Sequence, residues 1–218
     1  MTAVELKGHA KGDLGDWMLA SSGTRVDLWE TKPEQINIDD IAWHLTGVMR
    51  FTGAGKRSVS VAEHSMRVHD MLRYAGASPA ACLWGLLHDA HEAYVSDIST
   101  PLKRTIAAVA GRDVIKEIEA KVDAAIREAL NLPLLTDEEA KLVKLADYWA
   151  MAFEKNALLP YHAEWHFDLA ESPFRDGADV EKDYGLSRDE EARYFTDEFR
   201  RAHHLVVANQ RIRQAIAE

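Results

Sequence analysis

The sequence predicts an all-α protein. From residue 36 onward, apolar residues recur at the three-to-four-residue spacing of amphipathic helices, and no segment sustains the period-two alternation of a half-buried strand. Helix-start signals support this interpretation: Ser78–Pro79 has the order of an N-cap followed by proline at the first helical position, and Thr136–Glu139 has the pattern of a capping box. We therefore expect a compact helical bundle over residues 36–218, preceded by a short irregular N-terminal arm over residues 1–35.

The individual elements follow from their local patterns. The arm mixes Gly, Ser and charged residues, and its extended residues 25–29 are compatible with a short β-hairpin. The first helix begins at Asn37 or Asp39 and places Ile41, Leu45 and Val48 on one face. Further helices are predicted over residues 60–74, 78–89, 102–110, 112–130, 137–155 and from 187 onward. Loops are predicted over the Gly-rich residues 52–57, the turn 97–101 and the mixed segment 160–186.

Composition excludes several classes of protein. The chain has 36 acidic against 26 basic residues, a net charge of −10, which disfavours binding to a long nucleic acid. Its one cysteine, Cys82, lies in an apolar run and is expected to be a buried thiol, since it cannot form an internal disulfide. The N-terminus lacks the apolar core of a secretory signal, and no uncharged apolar stretch approaches the ~18 residues of a membrane span. A cytoplasmic protein without a membrane partner is expected.

Histidine and aspartate interrupt three apolar helices. His64 lies in the middle of one, His88 and Asp89 end the most apolar one, and Asp147 interrupts a third. A buried carboxylate without a partner is costly, and a divalent cation is one of the few partners that offset this cost. Each residue alone has an ordinary structural explanation. Together they form a mixed nitrogen and oxygen set that suits one transition metal ion, Mn, Co, Ni, Fe or Zn, with positions left open for water and substrate.

The order His64, His88–Asp89, Asp147 resembles the H…HD…D signature of HD-domain phosphohydrolases, which are α-helical metalloenzymes. The resemblance is closest to the YfbR-like 5′-nucleotidases and related phage nucleotide hydrolases. It is carried by Ser60–Ser65, Leu86–Glu92 and Asp97–Lys103, and with Asp147 it covers roughly residues 40–155.

The resemblance implies the catalytic roles residue by residue. His64, His88, Asp89 and Asp147 would be the metal ligands. Glu92 follows His88 by one helical turn and would position or deprotonate the attacking water. Asp97 would be a second acid–base group or a ligand of the sugar hydroxyl.

The resemblance also implies the substrate contacts. Arg50 would hold the phosphate through its guanidinium group, and Thr100 and Lys103 would meet the same phosphate. Phe51 would pack against the sugar at a place where the resembling branch carries tryptophan, so a strict preference for deoxyribose does not follow.

The number of metal ions follows from the histidines that are absent. Binuclear members of the family use further histidines between the HD pair and the last aspartate, and here no histidine lies between Glu92 and Asp147. A mononuclear site is expected, with His91 in a supporting or substrate-facing position. His162 and His166 have the spacing of a helical zinc pair, but Pro160 and Pro173 favour a loop there.

The preferred function is therefore hydrolysis of a (deoxy)nucleoside 5′-monophosphate to nucleoside and phosphate by a water activated at the metal. Removal of triphosphate from a dNTP at the same site stays open as an alternative. A non-catalytic nucleotide sensor and a helical interaction module are the other classes considered. The sensor would be expected to lack a ligand or Glu92, and the module would leave Asp89 and Asp147 without partners. A homodimer formed through a helix face is a further expectation.

Overall fold

The computed structural model describes residues 17–159 and 185–217, and these form a helical domain with one small hairpin. The all-α prediction is confirmed. The strands are β1 (Trp17–Leu19) and β2 (Arg25–Asp27), and the helices are α1 (Ile38–Leu45), α2 (Val61–Tyr74), α3 (Pro79–Leu87), α4 (Glu92–Val95), α5 (Thr100–Ala110), α6 (Val114–Ala129), α7 (Asp137–Leu158) and α8 (Arg188–Ala217). Short 3-10 turns cover Pro33–Gln35 and Arg50–Gly53.

The hairpin of the N-terminal arm is fastened to the first helix. Its strands are antiparallel, with Met18 opposite Val26, and Val26 is completely buried in the core. At its turn, Ser21 Oγ donates to Asp40 Oδ1 at 2.5 Å, and Ser22 donates to the same carboxylate from its backbone N at 2.7 Å and its Oγ at 2.7 Å. The described part of the arm therefore packs onto the domain.

The predicted helix starts agree with the structure. Asn37, Ser60 and Ser78 each accept a hydrogen bond from a backbone N–H in the first turn of their helix. The Thr136–Glu139 capping box is formed in full at the start of α7. These side chains satisfy N–H groups that have no partner inside the helix, which is why such residues mark helix starts so clearly.

Several predicted boundaries were wrong, among them the end of α7, which lies at Leu158 instead of residue 155. The helix expected over 78–89 ends at Leu87, because the next bonds, from Ala90 N to Leu87 O and from Glu92 N to Asp89 O, span three residues instead of four. Pro101, expected in a turn, lies in the first turn of α5, where a residue without an N–H group is tolerated. The loop predicted over 160–186 falls mainly outside the described residues.

Close packing of α2 against α3 positions the histidines. Gly85 of α3 permits the approach, since a Cβ atom there would lie 2.4 Å from Leu72 Cδ1 of α2. Helix α7 packs against both, and α8 packs against α3 on another side. No helix in the described ranges combines the length and the apolar character needed to cross a membrane.

Candidate metal centre

Helices α2 and α7 and the end of α3 bring the four predicted metal ligands together. His64 Nε2 lies 3.3 Å from Asp147 Oδ1 and 3.9 Å from Asp89 Oδ2. His88 Nε2 lies 3.1 Å from Asp89 Oδ2 and 3.7 Å from Asp147 Oδ1. Ligand atoms bonded at about 2.0–2.2 Å to one ion lie roughly 3–3.5 Å from their neighbours, so these spacings are close to those of a coordination shell.

Both imidazole rings are oriented by their other nitrogen. His64 Nδ1 is 2.9 Å from Glu154 Oε1, and His88 Nδ1 is 2.9 Å from the carbonyl oxygen of Gly85. Each Nδ1 faces an acceptor and must carry the proton, so in the neutral ring Nε2 presents its lone pair to the cluster. Among the described residues, neither buried Nε2 atom has a hydrogen-bond partner. These two buried nitrogens therefore have free lone pairs beside two carboxylates. Such a set of potential ligand atoms suits a divalent cation, and the cluster can hold one.

The charges of the cluster complement a cation. Although burial opposes the shift, contact with the histidines holds the pKa values of Asp89 and Asp147 well below the usual range of a carboxyl. Burial likewise opposes protonation of His88, but the same two carboxylates raise its pKa well above the ordinary value. A concentration of negative charge that draws protons onto a buried imidazole is an environment in which a metal ion would replace those protons.

Glu154, which was not predicted from the sequence, orients the His64 ring of the cluster. It is completely buried on α7, and its carboxylate contacts His64 Nδ1 at 2.9 Å, Arg50 Nε at 2.9 Å and Arg67 Nε at 3.4 Å. Burial opposes ionisation, but His64 and the two arginines lower the pKa of Glu154 to about 2. A signal existed in the sequence, because Glu154 follows Asp147 by seven residues and so lies on the same helix face two turns away.

The two predicted acid–base residues lie beside Asp89. Glu92 is 5% exposed, and its Oε2 atom has no hydrogen-bond partner in the described part of the chain. Burial, with the charges of Asp89 and Asp97, raises the pKa of Glu92 to about 9 against the opposing effects of Arg50 and Lys103. Burial also raises the pKa of Asp97, which lies close enough to Arg50 and Asp89 to feel their charges. Both carboxyls therefore lie near Asp89.

The residues predicted to bind the phosphate differ in how close they lie to the cluster and in which partners they already have. Arg50 is 9% exposed, donates through Nε to Glu154, and brings a terminal nitrogen to 3.7 Å from Asp89 Oδ2. Lys103 lies 2.7 Å from Glu119 Oε1, so this pair would have to open before the ammonium reached a substrate. Thr100 is exposed at the start of α5.

Phe51 has a left-handed backbone, with φ of 54°, and its ring lies 5.4 Å from Arg50 Cζ. A non-glycine residue in this region is held there by its surroundings. The aromatic ring therefore lies beside the guanidinium, and its contact with a sugar stays a prediction.

The remaining histidines have separate positions. His91 Nδ1 contacts Asp123 Oδ1 at 3.0 Å. A ligand atom of His91 lies within 4.8 Å of those of Asp89 and Glu92, so its predicted supporting or substrate-facing position stays a prediction. His44 Nδ1 and His69 Nδ1 contact the carbonyl oxygens of Ala93 and Cys82. The pair His162 and His166 lies outside the described residues.

A cavity of about 500 Å³ opens beside the cluster. His88, Asp89 and Asp147 are among its lining residues, and the rest of the lining comes from α3, His91, the end of α6, the α6–α7 connection and α7. Its apolar and cationic lining was not predicted, because the residues involved are adjacent only after α7 folds back against α3. The lining residues away from the cluster are Trp84, His91, Arg127, Leu134, Leu135, Ala140, Val143 and Lys144.

Comparison with known proteins locates this geometry within a family. Residues 61–152 match the family model described as HD domain, a range that contains all four clustered side chains. An uncharacterised protein of Rhodobacter capsulatus is 36% identical over 138 residues, which are 60% of this chain and 67% of that protein. The uncharacterised protein YfdR of Escherichia coli K12 is 36% identical over 137 residues, 63% of this chain and 69% of the relative.

Proposed function

The chain belongs to the HD-domain family, and from that premise we propose that it hydrolyses (deoxy)nucleoside 5′-monophosphates to nucleoside and inorganic phosphate. Membership of the family implies a metal-dependent phosphohydrolase. The observation that carries the proposal is the pair of buried Nε2 atoms of His64 and His88, which face Asp89 and Asp147 and have no hydrogen-bond partner within residues 17–159 and 185–217. We propose these four side chains as the metal ligands.

The chain's own residues have distinct tasks in this reaction. When bound, a divalent ion supplies charge neutralisation for the phosphoryl oxygens and makes water a stronger nucleophile. Glu154 and the Gly85 carbonyl hold the two imidazoles in the tautomer that presents Nε2. Glu92 Oε2 is buried and has no hydrogen-bond partner among the described residues. A carboxyl with a pKa of about 9 is protonated at neutral pH, so Glu92 would take the proton of the attacking water only after a bound cation had lowered that pKa. Arg50, fixed by Glu154, would bind a phosphoryl oxygen with its terminal nitrogens.

The cations near the Gly-rich loop favour a monophosphate over a triphosphate. Arg57 contacts Glu63 through two nitrogens at 2.8 and 2.6 Å, and Lys56 Nζ donates to the carbonyl oxygen of Ala157 at 3.2 Å. Both positive groups are thus engaged within the protein. A triphosphate chain carries about two more negative charges than a monophosphate and would require such cations to face the site.

The test is phosphate release from ribo- and deoxynucleoside mono- and triphosphates with Mn, Co, Ni, Zn or Mg. Asp89→Asn should lose metal and activity together, while Glu92→Gln should keep the metal and lose at least about a hundredfold in kcat. Asp197→Asn, a change at an exposed aspartate of α8, is the matched control and should behave like the unmodified protein.

Each outcome discriminates between functions. Inorganic phosphate from monophosphates, lost in both site variants, supports the proposal. Inorganic triphosphate released only from dNTPs would move the substrate to the alternative class. Nucleotide binding without any hydrolysis in the metal-loaded protein would overturn the enzyme proposal in favour of a sensor.

A further inference from the structure

The cavity beside the cluster takes no part in the tasks proposed for Glu92, Arg50 and the four ligand side chains. We propose that it is the pocket for the leaving group, and that this group is a nucleoside whose base lies against the apolar wall. The inference rests on the proposed function and specifies its substrate, because it assigns one part of the cavity to one part of the nucleotide.

The position of the cavity agrees with in-line displacement at phosphorus. In such a reaction the attacking and leaving oxygens lie on opposite sides of the phosphoryl group. Glu92, Asp97 and Arg50 are not among the described residues that line the cavity, whereas His88, Asp89 and Asp147 are. A phosphate held at the cluster, with its nucleophile beside Glu92 and its leaving oxygen toward the cavity, would meet this requirement.

The wall of the cavity suits a flat, weakly polar group. Trp84 Nε1 donates to the carbonyl oxygen of Pro133 at 2.7 Å, which fixes the indole ring in place. Leu134, another lining residue, is 81% exposed, and exposure of an apolar side chain to water is unfavourable. Val143 adds to the same apolar surface. A volume of about 500 Å³ lies within the usual range for small-ligand pockets and accommodates a purine or pyrimidine nucleoside.

The charges of the lining argue against a polyphosphate occupant. Lys144 Nζ is 2.8 Å from Asp147 Oδ2 and lies over the ring of Tyr148 at 4.5 Å, so its charge is committed beside the cluster. The described lining contains two lysine or arginine residues, Lys144 and the exposed Arg127. One rim guanidinium can stack on a base or attract an anionic substrate, but a triphosphate leaving group would need several cations.

The experiment replaces the exposed wall residue. Leu134→Ser removes apolar surface without adding charge, and because the side chain is 81% exposed the fold should be unaffected. Val109→Ser, at an 86% exposed residue of α5 outside the cavity lining, is the matched control. Calorimetric titration with deoxyadenosine and with inorganic phosphate, both in the metal-loaded protein, measures the two parts of the substrate separately. KM for deoxyadenosine 5′-monophosphate is measured in parallel.

Leu134→Ser should raise the Kd for deoxyadenosine and the KM for its monophosphate about tenfold, while the Kd for inorganic phosphate changes less than about twofold. If Leu134→Ser and Val109→Ser bind deoxyadenosine with equal affinity, the assignment of the cavity as the nucleoside pocket is wrong, whatever the activity of the variants. If no ester is hydrolysed but deoxyadenosine binding still weakens in Leu134→Ser, the proposed function fails and the pocket stands.

Discussion

Substitution of Glu154 by glutamine tests the arrangement beneath the metal cluster. Glutamine keeps the shape of the side chain but replaces a carboxylate, which accepts from three neighbours, with an amide that has only one acceptor oxygen. If its NH₂ group faces His64, then Nδ1 must become the acceptor and the proton moves to Nε2, where it blocks the lone pair needed by a metal. Loss of such a supporting contact typically lowers metal affinity 10–100-fold, about 1.4–2.8 kcal/mol.

The same change leaves Arg50 and Arg67 near a neutral group in the interior. Their side-chain exposures are 9% and 4%, so the loss of the partner charge is only weakly compensated by water. Removing one member of a buried ion pair costs about 3–5 kcal/mol. Because glutamine retains one hydrogen bond, we expect about 3 kcal/mol and a fall in Tm of roughly 6–12 °C for a chain of this size.

Titration of the metal-free protein with Mn or Co in a calorimeter, at a temperature where circular dichroism shows both proteins folded, separates the two effects. Glu63→Gln is the control, since Glu63 also contacts Arg67, at 2.9 Å, but does not contact the His64 ring within hydrogen-bonding distance. It should leave metal affinity within about threefold of the original. Unchanged metal affinity in Glu154→Gln would refute the assignment of Glu154 as the residue that sets the His64 tautomer.

Three further predictions concern other parts of the molecule. Asp40→Asn should reduce the free energy of unfolding by about 1–3 kcal/mol, because it weakens the bonds to the hairpin turn. Burial opposes ionisation of Asp40, but those bonds lower its pKa. The difference in unfolding free energy between the original protein and Asp40→Asn, measured with denaturant, should therefore be complete above pH 3.8 and disappear as the pH falls further. A difference that does not change with pH would contradict this reasoning. Burial raises the pKa of the Cys82 thiol to about 11, so a disulfide reagent at pH 8 should react at least about tenfold more slowly with the native than with the urea-unfolded protein. Lys103→Ala should raise KM for a monophosphate roughly 3–30-fold, whereas Lys116→Ala, on the exposed surface of α6, should not; equal KM values would remove Lys103 from the site.

The sequence identified the residues whose local context is unusual. Ser78–Pro79 and the Thr136 capping box mark helix starts because their side chains bond to the adjacent backbone, and this requires no knowledge of the tertiary fold. His64 and Asp147 were detectable because a polar group in an apolar helix requires a partner. The structure brings both into one cluster with His88 and Asp89.

The features that were missed depend on packing between distant segments. Glu154 resembles an ordinary exposed residue of a charged helix, and only the contact of α7 with α2 buries it against His64 and Arg67. Lys103 was expected to face the phosphate, but its pairing with Glu119 follows from how α5 lies against α6. The cavity likewise exists only once the α6–α7 connection lies over Trp84.

Anomalous X-ray scattering from crystals grown with Mn or Co tests the central claim most directly. We expect one strong peak within bonding distance of His64 Nε2, His88 Nε2 and a carboxylate oxygen each of Asp89 and Asp147, and no peak at that place in Asp147→Ala. A peak at other residues, or none in protein that binds the ion in solution, would contradict the assignment of these four side chains as the metal centre.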